Sequence, residues 1–239
     1  MSRVISGVEL LGAWASPYSI RVQIALNLKS IPYEFTEEKF YTSNKSARLL
    51  EANPIHKKIP VLIHDSKPIS ESLIILQYID EKWSCNGPSI LPSDPYDRAM
   101  ARFWAAYVDD KWFPAFKELE KASRDEDRGA IIERIHEGAM LLEETFVKCS
   151  KLKAYFGGDS LGYIDLVLGS YLGFIELTES ATGLKIFEEM RTPRLARWAQ
   201  RLSLDDAAKD VLPDAQKLFE FYMMVRESQK LEQINFLLR

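Results

Sequence analysis

The chain has 239 residues, of which 46% are hydrophobic and 28% are charged. This composition is typical of a globular protein with one large core or two smaller ones, and it excludes intrinsic disorder. The basic residues number 31 and the acidic residues 35, so the net charge is −4. Since no long run of lysine or arginine is present either, we expect no nucleic acid partner.

Cysteine and histidine residues are few and scattered. The two cysteines, Cys85 and Cys149, lack the spacing of a redox or disulfide motif, which suggests a reducing compartment and a cytoplasmic protein. The histidines lack the spacing of metal ligands, so no metal is expected. Residues 166–175 form an apolar run of about half a membrane span, and Glu9 interrupts the apolar N-terminal stretch. We therefore expect neither a membrane span nor a secretion signal.

Short strand-like and helix-like segments alternate along residues 1–83, which we predict to be one domain. From Pro17 onward, Ile20, Ile24 and Leu28 recur every fourth position and predict an amphipathic helix. The helical crossover before the second strand predicts a parallel pair, whereas the short turn near residue 65 predicts an antiparallel hairpin. The predicted order is βαβαββα, a thioredoxin-like arrangement, with strands at 8–12, 33–37, 61–63 and 67–69 and helices at 17–28, 45–51 and 71–83.

The strand signal disappears after residue 83. Residues 84–95 contain three prolines and one glycine, which can sustain neither a helix nor a central strand, and we interpret them as a linker. Residues 96–239 should form an all-α helical domain, in which residues 230–239 either pack as a terminal helix or stay loose. The helices are predicted at 96–122, 126–148, 163–176, 193–202 and 213–226.

Ser16 precedes Pro17, and this pair has two interpretations. A serine before a proline commonly starts a helix as its cap. The same position also favours a thiolate, because a helix N-terminus carries positive potential and the hydroxyl can donate a hydrogen bond to sulfur. Lowering a thiol pKa from about 8.5 by two units requires about 2.7 kcal/mol. One charge-assisted hydrogen bond plus the helix terminus is of that order, with Ser19 as the weaker candidate.

Pro60 occupies the position, just before a strand, where thioredoxin-like folds keep a cis proline. A cis bond would expose the backbone of Ile59 for pairing with an extended peptide, although an ordinary proline at a strand edge fits as well. Lys45 and Lys58 are candidates for binding a carboxylate beside that backbone. We prefer Lys58 to Lys57, since alternate residues of an extended segment point to opposite sides.

The Ser70-Glu71-Ser72 segment also has two interpretations. It fits the cap and first turn of a helix. It equally fits a site in which Glu71 binds an ammonium, while the Ser72 hydroxyl and nearby N–H groups hold a carboxylate. Taken with Ser16 and the lysines, these groups suit glutathione, a thiol tripeptide with two carboxylates and one amine.

With these residues assembled, the sequence resembles the tau class of plant glutathione transferases. The motifs that carry the resemblance span nearly the whole chain, in the expected order: residues 14–18, 53–62, 70–73, 91–99 and 155–159. The resemblance implies a homodimer, a glutathione site in the N-terminal domain and a mostly apolar acceptor site in the helical domain.

The resemblance also implies residue roles. Ser16 matches the catalytic serine, and the glutathione-binding positions match Lys45, Lys58, Ile59, Glu71 and Ser72. Tyr107 and Lys111 resemble positions that border the acceptor pocket, although aromatic residues at helical spacing usually pack in a core. Asp165 matches a buried capping aspartate, but Gly162 stands where the family often has a serine or threonine. Only half of a capping box can form, so Asp165 should be structural.

The predicted function is conjugation of the glutathione thiolate to hydrophobic electrophiles, as in detoxification and stress responses, with peroxidase activity on organic hydroperoxides as a possible addition. The alternative is a glutathione-dependent protein that binds a hydrophobic ligand, or signals, without turnover. Thiol-disulfide exchange is disfavoured, because it needs a cysteine where this chain has Ser16.

Overall fold

The computed structural model describes residues 7–39, 41–42, 44–122 and 124–237. Strands and helices alternate in its N-terminal part in the predicted order βαβαββα. The strands are β1 (Val8–Gly12), β2 (Glu34–Glu37), β3 (Val61–His64) and β4 (Lys67–Ser70), and the helices are α1 (Pro17–Leu28), α2 (Ala47–Ala52) and α3 (Ser72–Lys82).

The four strands form one mixed sheet in the order β2-β1-β3-β4. Strand β1 runs parallel to β2 and antiparallel to β3, and β3 pairs with β4 as an antiparallel hairpin. Asp65 and Ser66 form the hairpin turn, and both have positive φ angles, 48° and 65°. Two such residues are what a tight hairpin turn requires. The thioredoxin-like prediction is therefore confirmed.

The rest of the described chain is mainly helical. Between Lys82 and Pro95 there is no regular helix or strand, and Asp94 caps the next helix by accepting hydrogen bonds from the N–H groups of Tyr96 and Asp97, both at 2.9 Å. The helices are α4 (Pro95–Tyr107), a π-helical turn (Val108–Trp112), α5 (Phe113–Lys121), α6 (Asp125–Ser150), α7 (Tyr163–Gly169), α8 (Leu172–Thr182), α9 (Pro193–Ser203) and α10 (Ala215–Leu237). The predicted terminal segment thus continues α10, except that residues 238–239 lie outside the described residues.

Two of the predicted long helices are interrupted. The segment 96–122 changes to a π-helical turn before α5, where Pro114 cannot donate a backbone hydrogen bond and its ring crowds the preceding turn. The segment 163–176 is divided at Ser170, whose hydroxyl donates to the Val167 carbonyl at 2.8 Å and competes with the helical hydrogen bonds. Both interruptions depend on local chemistry that the apolar periodicity does not contain.

Helix α1 is not amphipathic as predicted. Its residues are buried on nearly every side, because it packs against α3 and α7 as well as belonging to the same core as Leu10 of β1. A helix that is covered on all sides needs no polar face. The start of α1 is therefore held firmly between the sheet and the helical part.

Buried charged groups join α1 and α3 to the segment before α4, and α7 to α9. The Lys29 ammonium lies 2.8 Å from the Asp80 carboxylate, which also accepts hydrogen bonds from the N–H groups of Ile90 and Leu91, both at 2.9 Å. Asp165 is completely buried and accepts hydrogen bonds from three backbone N–H groups and from the Trp198 indole. Burial raises the pKa of Asp165 to about 6, even though these donors favour the carboxylate.

Candidate active site

A cavity of about 1250 Å³ opens between the N-terminal part and the helices. The starts of α1 and α3 and the loop before β3 form one wall. The π-helical turn and helices α5, α8 and α10 form the other. Pockets for one drug-sized molecule measure about 300–1,000 Å³, so this cavity has room for a tripeptide and a second ligand.

Ser16 lies at the start of α1, at the edge between these two walls. Its carbonyl accepts hydrogen bonds from the N–H groups of Ser19 and Ile20, both at 2.9 Å, as a helix cap does. Its side chain makes no capping hydrogen bond, although only 6% of the residue is exposed and it lines the cavity. The hydroxyl is therefore not committed to the helix.

Ser19 differs from Ser16 in its burial and in the partner of its hydroxyl. It is completely buried, and its hydroxyl accepts a hydrogen bond from the Ala13 N–H at 3.1 Å. Ser19 is thus a structural residue that fixes the chain just before α1.

Arg21, on α1, connects the two walls of the cavity. Its completely buried guanidinium donates two hydrogen bonds to the Asp109 carboxylate, at 2.7 and 2.8 Å, and one to the Ser72 hydroxyl at 3.4 Å. The Tyr171 hydroxyl donates to the same carboxylate at 2.9 Å. Burial alone would lower the pKa of Arg21, but Tyr171 and Asp109 outweigh it, so that the pKa is raised and the group is a permanent cation. One buried cation therefore fixes α1, α3 and the π-helical turn relative to one another.

Sequence reasoning assigned no role to Arg21. The sequence did contain a signal for this role, because Arg21 is the only charged residue of α1 and most of its neighbours are apolar. Long charged side chains are almost never fully buried unless they are paired. What the sequence did not contain was the identity of the partner, Asp109, 88 positions away.

The loop before β3 lines the cavity. The Ile59-Pro60 peptide bond is cis, which is one of the two interpretations that the sequence left open, and Lys58, Ile59 and Pro60 all line the cavity. Asn53 holds the loop, since its side-chain amide donates to the Lys58 carbonyl at 2.9 Å and its amide oxygen accepts from the His56 N–H at 3.1 Å. Lys57 has a φ of 54°, so the segment is not extended there. The structure thus places Lys58 in the lining, but the alternation argument for it was wrong.

Glu71 stands between β4 and α3 in an unusual backbone conformation. Its φ is 71° and its ψ is 111°, a sparsely populated combination that costs a non-glycine residue about 1–3 kcal/mol. Glu71 itself, and not Ser70, occupies the cap position of α3, while Ser70 ends β4. Both Glu71 and the largely buried Ser72 line the cavity. Backbone strain that persists at a cavity wall indicates a functional position.

Lys45 reaches the cavity from the loop before α2. The next residue, Ser46, caps α2 by accepting a hydrogen bond from the Leu49 N–H at 3.0 Å, and its hydroxyl donates to Glu38 at 2.6 Å. This fixes the chain beside Lys45. The cavity thus brings together all six residues that were predicted for the catalytic and glutathione-binding roles: Ser16, Lys45, Lys58, Ile59, Glu71 and Ser72.

The two predicted acceptor residues lie elsewhere. The described residues that line the cavity include neither Tyr107 nor Lys111. Tyr107 packs toward α6, since a Cβ atom added to Gly138 of that helix would lie 3.0 Å from the Tyr107 hydroxyl. Burial raises the pKa of this hydroxyl. Lys111 is exposed within the π-helical turn. That turn changes the helical register, so Asp109, Asp110 and Phe113 face the cavity instead.

Aromatic side chains build the helical wall. The Phe113 ring stacks on Tyr171, with ring centres 3.9 Å apart. Phe174 meets Phe113 edge-on at 5.6 Å and Tyr222 at 5.2 Å. Sequence reasoning missed Phe113, Phe174 and Tyr222, which only the π-helical turn and the approach of α10 bring to one surface.

The described residues contain no group of three or more histidine, cysteine or acidic side chains placed to hold a metal ion. Across the same part of the chain, no helix is both long enough and apolar enough to cross a membrane. The two cysteines are free thiols, and burial raises the pKa of Cys149.

Comparison with known proteins agrees with this geometry. Residues 6–81 match the family model described as the N-terminal domain of glutathione S-transferase. Glutathione S-transferase U17 of Arabidopsis thaliana is 55% identical over 216 residues, which cover 90% of this chain and 94% of that protein. A tau class glutathione S-transferase from mango is 53% identical and covers 91% of this chain and 98% of its own, with a TM-score of 0.88. The chain belongs to the tau class of glutathione S-transferases.

A second structural relative of this tau class member is rice GST1, which was solved in complex with glutathione. It is 35% identical, covers 93% of this chain and 99% of its own, and has a TM-score of 0.83. Glutathione, which the sequence predicted as the co-substrate, is thus in keeping with the family.

Proposed function

We propose that this protein activates glutathione as a thiolate at Ser16 and conjugates it to hydrophobic electrophiles. The observation that carries the proposal is the Ser16 hydroxyl, which lies at a helix start, faces the cavity and makes no hydrogen bond to the helix. Together, the hydroxyl and the helix terminus stabilise the thiolate over the thiol. Serine's own pKa is far too high for it to act as the base, so Ser16 acts as donor and orienter.

The other residues of the same wall suit the ends of the tripeptide. The Glu71 carboxylate is suited to the γ-glutamyl ammonium, while the Ser72 hydroxyl and the N–H groups at the start of α3 are suited to its carboxylate. The exposed backbone of Ile59 pairs with the cysteinyl residue as an added strand would. Lys45 and Lys58 bind the glycine carboxylate.

Arg21 is a positioning residue in this scheme. It donates to the Ser72 hydroxyl and to Asp109, so it holds the γ-glutamyl site and the π-helical turn in register with the helix that carries Ser16. Catalysis by proximity depends on such positioning, because misplacement by about 1 Å can lower a rate about 100-fold.

The acceptor binds on the aromatic wall of Phe113, Phe174 and Tyr222. These residues replace Tyr107 and Lys111 in the proposal, since they line the cavity and those two do not. The thiolate attacks an electrophilic carbon to form a thioether, and the same thiolate can reduce organic hydroperoxides. Detoxification and stress responses are the physiological setting that we propose.

We also propose a cytoplasmic homodimer. The two free thiols support a reducing compartment. Large apolar side chains exposed on neighbouring helices support self-association, in particular Ile74 of α3 and Phe103 of α4, which are 54% and 56% exposed. Sedimentation of Phe103→Glu beside the wild type tests the dimer, which we expect to dissociate in the variant.

The experiment that tests the function is conjugation of glutathione to 1-chloro-2,4-dinitrobenzene by the wild type and by Ser16→Ala. A hydrogen bond to a charged group contributes about 1.5–3 kcal/mol, so we expect the variant to bind glutathione and to lose about 10- to 100-fold in kcat/KM. The pH profile of the remaining activity should move to higher pH, since the pKa of the bound glutathione thiol should be higher in the variant.

Ser19→Ala is the matched control, which should lose stability without moving that profile. A wild-type protein that binds glutathione but conjugates none of several electrophiles would contradict the proposal and support the non-catalytic, ligand-binding role.

A further inference from the structure

We call the side of the cavity formed by the π-helical turn, α5, α8, α10 and Arg128 of α6 the acceptor half. It is more basic than a purely hydrophobic substrate requires. Apart from Asp109, which Arg21 already neutralises, its lining includes two carboxylates, Asp110 and Glu120. Against these two stand four cations, from α5, α6 and α10: Lys117, Lys121, Arg128 and Arg226. The excess of positive charge lies where the acceptor, and not glutathione, would bind.

These cations differ in what they already contact. Arg226 lies 3.8 Å from Glu120, and Arg128 donates to the carbonyls of Leu119 and Ala122 at 3.3 Å, where it caps the end of α5. Lys117 has no carboxylate within ion-pair distance among the described residues. Its ammonium lies instead 5.3 Å from the centre of the Phe113 ring, at the aromatic wall. Lys121 likewise has no carboxylate within ion-pair distance in the part of the chain that the structure describes, but no ring contact there places it at the aromatic wall as the Phe113 contact places Lys117. We therefore take Lys117 as the cation nearest to an acceptor bound there.

The surface beside Lys117 is apolar in effect. Phe116, Leu177 and Phe219 also line the helical side of the cavity. Thr178 and Thr182 contribute hydroxyls, but these donate to the carbonyls of Phe174 and Thr178, at 2.8 and 2.6 Å, within α8. An apolar surface with a cation at its edge is complementary to an apolar molecule that carries one anionic group.

We propose that the acceptor half selects electrophiles that carry a carboxylate on an apolar body, with Lys117 as the specificity-determining residue. This inference rests on the proposed transferase function, whose substrate class it narrows. In an aryl chloride of this kind, the thiolate sulfur bonds to the ring carbon and the carbon–chlorine bond breaks with loss of chloride. The carboxylate takes no part in the reaction and serves only to bind.

A matched pair of substrates tests the proposal: 4-chloro-3-nitrobenzoate and its methyl ester. The quantity to compare is the acid/ester ratio of kcat/KM, measured in the wild type and in each variant, because the intrinsic reactivities of the two compounds then cancel. An exposed ion pair contributes up to about 1 kcal/mol, so Lys117→Met should lower the ratio about fivefold. The wild-type ratio should also fall as salt is raised, since salt screens an exposed charge.

Two further variants make the test specific. Glu120→Gln removes the carboxylate beside Arg226 and should raise the acid/ester ratio, in the direction opposite to Lys117→Met. Lys148→Met, which removes an exposed lysine of α6 that is 3.7 Å from Glu144, should leave the ratio unchanged. If Lys117→Met lowers kcat/KM equally for acid and ester, Lys117 only packs against the ring and the proposal is wrong.

Binding separates failure of this proposal from failure of the transferase function. Calorimetry with decanoate and with 1-decanol, in the presence of glutathione, needs no turnover. If the wild type conjugates neither 1-chloro-2,4-dinitrobenzene nor the benzoate pair, the transferase proposal fails, and the decanoate result decides the anion site alone. Weaker binding of decanoate but not of decanol in Lys117→Met supports the site, and equal weakening overturns it.

Discussion

The two halves of the cavity are built by different kinds of contact. The half that we propose for glutathione is the wall formed by the starts of α1 and α3 and the loop before β3. In this glutathione half, the shape depends on backbone geometry and buried polar contacts: the helix start at Ser16, the cis bond before Pro60, the positive φ of Glu71 and the buried Arg21. In the acceptor half, it depends on ring contacts such as those of Phe113 and Phe174, and on exposed cations such as Lys117.

From this difference we expect the enzyme to be strict toward glutathione and permissive toward the acceptor. Buried polar groups reject a ligand that leaves them unpaired, whereas apolar surfaces discriminate weakly between ligands of similar shape. Substitutions in the glutathione half should therefore affect folding and every reaction alike. Those in the acceptor half should change only which electrophile is used.

The largest effect is expected for Arg21→Ala. Removal of a buried cation leaves the Asp109 carboxylate without its partner, which costs about 3–5 kcal/mol. Chemical denaturation should show this loss of unfolding free energy, and KM for glutathione should rise because Ser72 loses its donor.

Asp109→Asn is the companion variant. It keeps the shape of the side chain but leaves the completely buried Arg21 cation without its counter-charge, so we expect a loss of similar size. If Arg21→Ala were as stable as the wild type, the buried network would not hold the two walls together.

Glu71 gives a paired test of strain and function. Glycine tolerates the φ of 71°, whereas alanine does not. The free energy of unfolding of Glu71→Gly should therefore be about 1 kcal/mol larger than that of Glu71→Ala. Both variants lack the carboxylate and should bind glutathione equally weakly by calorimetry. Tighter binding by Glu71→Gly would show that the backbone, and not the carboxylate, makes the site.

Phe174→Leu tests the acceptor half. It keeps an apolar side chain but removes the ring that contacts Phe113 and Tyr222. Changes of this size in an apolar pocket alter discrimination by about 1–3 kcal/mol, so the order of preference among aryl and alkyl electrophiles should change while KM for glutathione does not. If the acceptor preference and KM for glutathione changed together, the two halves of the cavity would not act independently.

The smallest effects are expected for Tyr107→Phe and Lys111→Ala. Neither residue lines the cavity. Lys111 is exposed, so Lys111→Ala should change stability by no more than about 0.5 kcal/mol, and Tyr107→Phe keeps the half-buried ring. Kinetic constants for glutathione and for several acceptors should equal those of the wild type. A selective loss with one acceptor would restore the roles that the family resemblance implied for these two residues.

The glutathione half was largely predictable, because each of its parts is a local motif. Ser16-Pro17 starts a helix, Ile59-Pro60 precedes a strand and Glu71-Ser72 starts another helix, whatever the rest of the chain does. The acceptor half was not predictable in this way. Its lining combines α5, α8 and α10, and the residues that face inward depend on the π-helical turn, which helical periodicity does not reveal.

The sequence by itself thus determined the order of the N-terminal elements and the thioredoxin-like sheet, and it singled out six residues that line one cavity, because these features follow from short-range chemistry. The tertiary structure alone decided that Arg21 is buried against Asp109, that Phe113 and not Tyr107 faces the cavity, and that Lys117 stands at the aromatic edge. Those facts join residues that are distant along the chain or depend on a change of helical register, and only packing can specify them.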